Sequence, residues 1–101
     1  MAHLSIISWR DIPAQVVVRR GRETAKVQLS ARFQEAVDRA AMRAGRGSSD
    51  AYLADWRRSD ARPCGEDIHA EAAAEAERIE ARFTDLALEE LIRSKGLVAG
   101  T

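Results

Sequence analysis

Two β-branched runs flank a proline near the start of this 101-residue chain, and that arrangement limits what the chain can fold into. Leu4 to Trp9 contains Ile6, Ile7 and Trp9, side chains that fit the pleated surface of a strand. Asp11-Ile12-Pro13 then interrupts the run, because proline has no N–H to give to a ladder. Val16-Val17-Val18 follows as a second run and ends at Arg19-Arg20-Gly21. With a connection this short and polar, an antiparallel pair is the simplest pairing available.

Beyond the pair, Arg22 to Gln28 is polar and without clear period, so it is expected as loop. Ser30 then stands as N-cap to a helix whose stripe is Phe33, Val37, Ala40, Ala41 and Ala44, with Gly45 and Gly47 ending it. Ser48-Ser49-Asp50 can cap a short helix through about Ala54, and Trp56-Arg57-Arg58-Ser59 is expected as a third, exposed strand stopped by Pro63. Glu66 and Asp67 place negative charge at the start of a long helix, where the dipole favours it. Its narrow stripe is Ile68, Ala72, Ala76, Ile79 and Phe83. Thr84 or Asp85 can recap the chain for a further segment carrying Leu88, Leu91 and Ile92, with Gly96 as the stop. The expected order is β–β–α–(short α)–β–α, an α+β fold with helices on one face of a small antiparallel sheet. One domain over residues 1–101 is expected, with a core from about 4 to 95 and a frayed tail from Leu97 to Thr101.

Composition narrows the function classes. No stretch approaches the roughly 20 apolar residues of a membrane span, and the N-terminus has no basic stretch or small-residue cleavage site of a signal peptide. A single cysteine fits a reducing compartment, so the cytoplasm is expected. Lys and Arg balance Asp and Glu at 16 each, but residues 1–50 hold 9 basic and 5 acidic side chains, leaving the second half acidic. Opposite faces that attract within the fold account for this asymmetry; a basic surface for an anionic partner is the sharper reading. The pI near 6.7 makes nucleic acid unlikely, since dedicated binders usually exceed about 9.

Catalytic templates are missing: there is no Gly-rich phosphate loop, nucleophile elbow or paired-His motif. His3 and His69 are the only imidazoles, and Cys64 with His69 gives at most two ligands, so no metal or other cofactor is expected. Cys64 precedes a helix start with Arg57, Arg58 and Arg62 near in sequence, which favours thiolate, while Glu66 and Asp67 oppose it. A free cysteine is also a common small core filler. Trp9-Arg10-Asp11-Ile12-Pro13 joins an aromatic, an ion pair and a proline at a strand end, and Trp56-Arg57-Arg58 repeats the aromatic-plus-arginine theme. Trp and Arg dominate interface hot spots, so Trp9, Arg10, Asp11, Pro13, Trp56, Arg57, Arg58 and Cys64 are the candidate binding residues. The alternative is structural: each tryptophan anchors the core and each arginine pairs with Asp11, Asp55 or Asp60.

At Trp9-Arg10-Asp11-Ile12-Pro13-Ala14-Gln15-Val16 the chain resembles the small bacterial "virulence factor" family, a domain also found in conserved virulence factor proteins. Leu29-Ser30-Ala31-Arg32-Phe33, Ala36 to Met42, Asp50 to Arg57 and Arg62-Pro63-Cys64 continue the likeness, which covers roughly residues 4–83. The tryptophan motif is its most specific part. The resemblance carries over no catalytic residue. It implies an accessory role beside one-carbon enzymes that handle folate or corrinoid methyl groups, docking through the surface around Trp9 and Trp56. The expected function is therefore a non-catalytic protein–protein interaction or accessory domain, with a homodimer left open. The alternative is a small ligand- or cofactor-binding protein using Cys64 and the Trp/Arg surface.

Overall fold

The computed structural model describes residues 1–98. Its elements run β1 (Ala2–Trp9), β2 (Ile12–Arg20), β3 (Glu23–Gln28), α1 (Ala31–Arg43), α2 (Ser49–Ala54), β4 (Trp56–Arg58), β5 (Arg62–Cys64), α3 (Ile68–Arg82) and α4 (Asp85–Arg93). The sheet is antiparallel in the order β3-β2-β1-β4, and β5 also pairs with β1. This is the expected α+β architecture. Among the described residues no helix is long and apolar enough to cross a membrane.

Three local expectations are corrected. Residues 23–28, expected as loop, form strand β3. Gly21 and Arg22 make a two-residue turn with Arg20 opposite Glu23, and Gly21 takes φ +60, which a glycine adopts without steric cost. The strand then alternates, with Ala25 buried and Val27 partly buried between the exposed Thr24, Lys26 and Gln28. The second correction concerns Pro13, which lies inside β2 instead of ahead of it. A bulge makes this possible: Ile7 pairs with Gln15 but Ser8 with Pro13, leaving Ala14 as the extra residue. Pairing to β3 begins only at Gln15, so the proline's missing donor disturbs a ladder on one side alone. The third is Pro63, which sits within β5 instead of stopping the chain; β5 is a short edge strand, where proline is tolerated.

β4 and β5 share one edge of β1 end to end. β4 pairs with Ile7, Ser8 and Trp9, β5 with Ala2, His3 and Leu4. Between them the Ile6 N–H donates to the Ser59 hydroxyl at 2.8 Å, and the Ser59 N–H donates to the Ile6 carbonyl at 2.9 Å. The broken strand thus satisfies most of an otherwise open edge.

α3 packs on β2 and β3, while α1 packs on α4 and on β2. The largest fully buried side chains include Trp9, Phe33, Leu4, Ile12, Ile79 and Val37, each stabilising the fold by roughly 1.5–3 kcal/mol through burial. The α1 stripe buries Phe33, Val37, Ala40 and Ala41 as expected and Ala36 as well, with Ala44 half-buried. Ser30 occupies the N-cap position, but its side chain donates instead of accepting. Its N–H and hydroxyl reach the two oxygens of Glu80 at 2.7 and 2.9 Å, so a carboxylate from α3 closes the start of α1. Arg32 adds bonds to Glu80 and to Asp85, tying α1 to both later helices. Asp67 caps α3 through the Ala70 N–H and Thr84 caps α4 through the Ala87 N–H.

Candidate functional site

The β1–β2 hairpin turns on only two residues, Arg10 and Asp11, since Trp9 faces Ile12 in the register. Arg10 takes φ 52, a conformation that costs an L-residue about 1–2 kcal/mol unless surrounding contacts hold it. Those contacts are present. The Arg10 N–H donates to the Asp55 carbonyl at 3.0 Å, and its guanidinium reaches the Asp55 carboxylate at 3.3 Å and the Lys95 carbonyl at 2.9 Å. The same guanidinium lies 5.1 Å from the Trp9 ring centroid. Arg46 reaches the same Asp55 oxygen at 3.5 Å.

Asp11 reaches the C-terminal turn. Its N–H donates to the Gly96 carbonyl at 2.7 Å, while its carboxylate accepts from the Val98 N–H at 2.7 Å and from Arg57 at 3.4 Å. Within the tail expected to fray, the Leu97 N–H donates to the Ser94 carbonyl at 3.2 Å and the Val98 N–H to Asp11; 99–101 lie outside the described residues. Gly96 does more than end a helix. It is buried with φ +85, and a β-carbon there would sit 2.8 Å from a Trp9 ring carbon. The indole is therefore covered by bare backbone.

Trp9 itself is fully buried. Its indole N–H donates to the Tyr52 carbonyl at 2.8 Å, its ring stacks on Tyr52 at 6.1 Å, and Tyr52 meets the half-buried Trp56 edge-on at 5.8 Å. Pro13 is buried too. A side chain with no accessible surface touches no partner without rearrangement, so the exposed part of the motif passes to its arginines. Arg57 and Arg58 project from β4, and the Arg57 side chain keeps 54% of its surface exposed even while paired to Asp11. Two shallow depressions adjoin there. One of about 180 Å³ is lined by Ser8, Asp11, Arg57 and Arg58; the other, about 390 Å³, by Arg10, Ala54, Asp55, Arg57 and Leu97.

Cys64 lies elsewhere. It pairs with Ala2 at the far end of β1, whereas Trp56 pairs with Trp9. At about 3.3 Å per residue the strand separates those ends by roughly 23 Å. Burial pushes the Cys64 thiol up from its ordinary range, the Glu71 carboxylate adds to that, and Arg62 only partly opposes it. The thiolate-favouring arrangement suggested by nearby arginines does not form, and Cys64 does not join the Trp/Arg cluster. His3 and His69 are both exposed, and among the described residues no three His, Cys, Asp or Glu side chains gather as metal ligands.

The sequence reading missed Gly96 as a lid on Trp9, the Lys95 carbonyl as an arginine acceptor, and Arg46. These groups lie far from the motif along the chain, and no local pattern marks them. It also missed Glu75, 4% exposed on the packing side of α3 and paired to Arg62 at 3.1 Å and Arg78 at 2.7 Å. A signal existed there, because Glu75 falls seven residues after Ile68, on the stripe that continues to Ala76 and Ile79.

No curated protein and no solved structure matches the chain. The sequence model of the family described as "Virulence factor" matches residues 7–92, a span that holds the β1–β2 turn, α1 to α3, α4 up to Ile92 and the strand bearing Arg57. The chain belongs to the virulence factor family.

Proposed function

We propose that this domain is a non-catalytic protein–protein interaction module that docks through the corner where the β1–β2 turn, β4 and the C-terminal turn meet. The observation that carries the reading is the setting of Arg57. Its side chain is more than half exposed, it is steadied by Asp11, and it borders the same depression as Leu97, itself 42% exposed. A steadied arginine beside an exposed aliphatic side chain is the composition of an interface anchor, because little side-chain entropy remains to be lost on binding. Arg10, Asp55 and the buried Trp9 fix the backbone beneath it.

The partner class implied by the family resemblance, a one-carbon enzyme handling folate or corrinoid methyl groups, is the first to test. Affinity capture with the purified domain, followed by titration against such an enzyme, should give a complex that Arg57→Ala and Leu97→Ala each weaken at least about tenfold, a loss of about 1.4 kcal/mol in binding. Both variants should melt close to the parent. Undiminished binding by both would remove the corner as the docking site. Turnover of a metabolite by the domain alone would remove the non-catalytic reading.

A further inference from the structure

The sheet has a second side. Leu4, Val16, Val18 and Ala25 belong to the core, so the period of two turns the alternate residues of β1, β2 and β3 away from it. Three cross-strand rows lie on that side, centred on Arg19, Val17 and Gln15, and none of them contains Asp or Glu. Arg19 stands between His3 and Thr24, Lys26 flanks Val17, and Arg58 on β4 extends the Gln15 row through its pairing with Ile7. Arg19, Lys26 and Arg58 are exposed, and among the described residues none of them has an ion pair. Val17, at the middle of the face, is only 3% exposed, in the manner of an apolar residue shielded by the stems of long neighbours.

In a chain of zero formal net charge, rows free of Asp and Glu that carry Arg19 and Lys26 without an ion pair among the described residues, with Arg58 at their border, are complementary to negative charge. We propose that this face binds an acidic segment of a protein partner, with Arg19, Lys26 and Arg58 supplying the charged contacts. The proposal rests on the reading of the chain as an interaction domain and adds the chemistry of what it recognises. A polypeptide is favoured over a nucleic acid by two features. The three rows carry no Phe, Tyr or Trp on which bases could stack, and the one aromatic near them, Trp56, is half-buried against Tyr52. The overall pI near 6.7 also lacks the excess of positive charge that backbone phosphates select. Exposed ion pairs are individually weak and screened by salt, so recognition here is fast and salt-sensitive.

Fluorescence anisotropy with the full chain tests this, using a labelled polyglutamate peptide and a labelled oligouridylate of matched charge. The peptide is expected to bind at low salt and to be released as salt rises. The pair Arg19→Glu with Lys26→Glu should weaken it at least about tenfold, and Arg58→Glu further. Arg82→Glu with Arg93→Glu changes the net charge equally but lies on α3 and α4, and should shift affinity by less than about twofold. Three results overturn the proposal: no peptide binding, equal weakening by the helix variants, or oligouridylate binding as tightly as the peptide. If it fails while Arg57→Ala and Leu97→Ala still weaken partner capture at least about tenfold, only the face assignment falls; if both fail, the interaction reading falls with it.

Discussion

At the Trp9 corner, Arg10, Arg46 and Arg57 each reach a carboxylate, and Asp11 accepts from a backbone N–H as well. On the sheet face turned from the core, Arg19, Lys26 and Arg58 are exposed with no such partner among the described residues. Both regions are rich in arginine, yet the same side chain serves different ends. In the corner it satisfies the backbone carbonyl of Lys95 and holds a left-handed turn in place. On the open face its charged head makes no ion pair among the described residues, while the stems of the long side chains shield Val17. Most of the motif that carries the family likeness is thus consumed in closing the domain, and the cations left over are those available to a partner.

Trp9 is the side chain whose removal costs the domain most. Trp9→Ala should destabilise the domain by about 3–5 kcal/mol in urea unfolding, since a fully buried indole and its bond to Tyr52 are lost. A loss under about 1 kcal/mol would mean that the corner does not anchor the fold. Gly96→Ala should cost about 1–3 kcal/mol, because its β-carbon meets the Trp9 ring and φ +85 is unfavourable for alanine. A melting temperature equal to the parent's would show that the C-terminal turn is not clamped to the hairpin.

Glu80, away from the corner, is another fully engaged carboxylate. Burial alone would raise its pKa, but the two hydrogen bonds from Ser30 and the Arg32 guanidinium outweigh that and hold it below the ordinary 4.5. A carboxyl lowered on folding stabilises fully above its unfolded pKa and loses that contribution as pH falls through the folded value. Glu80→Gln should therefore cost about 1 kcal/mol at neutral pH, with the gap to the parent closing in acid. A gap that persists unchanged at low pH would show that the charge is immaterial. The smallest effect belongs to the open face. Arg58→Ala should change stability by less than about 0.5 kcal/mol, and a larger loss would assign Arg58 to the fold.

Much of the fold was legible because the deciding pattern was local. The α1 stripe from Phe33 to Ala41 and the recapping at Thr84 each need only neighbouring residues to specify them. β3 was not legible, since its inward residues are only Ala25 and Val27, too little apolar surface to stand out from a polar stretch. Pro13 within a strand depended on a bulge, which is a property of the pairing with β1 and not of either strand alone. The site was half legible. Trp9, Arg10, Asp11 and Arg57 do converge, but whether Trp9 faced outward depended on Tyr52 and Gly96, which lie more than forty residues away.

Arg10 and Asp11 are completed by Lys95, Gly96 and Val98, groups 85 to 87 positions later. The turn is therefore held by two sets of contacts far apart in the chain, one from Asp55 and one from Lys95, Gly96 and Val98. A nascent chain that has emerged past Asp55 but not past Val98 would hold its first hairpin by one clasp of two, and the second joins distant parts of the sequence, the kind of contact that slows folding.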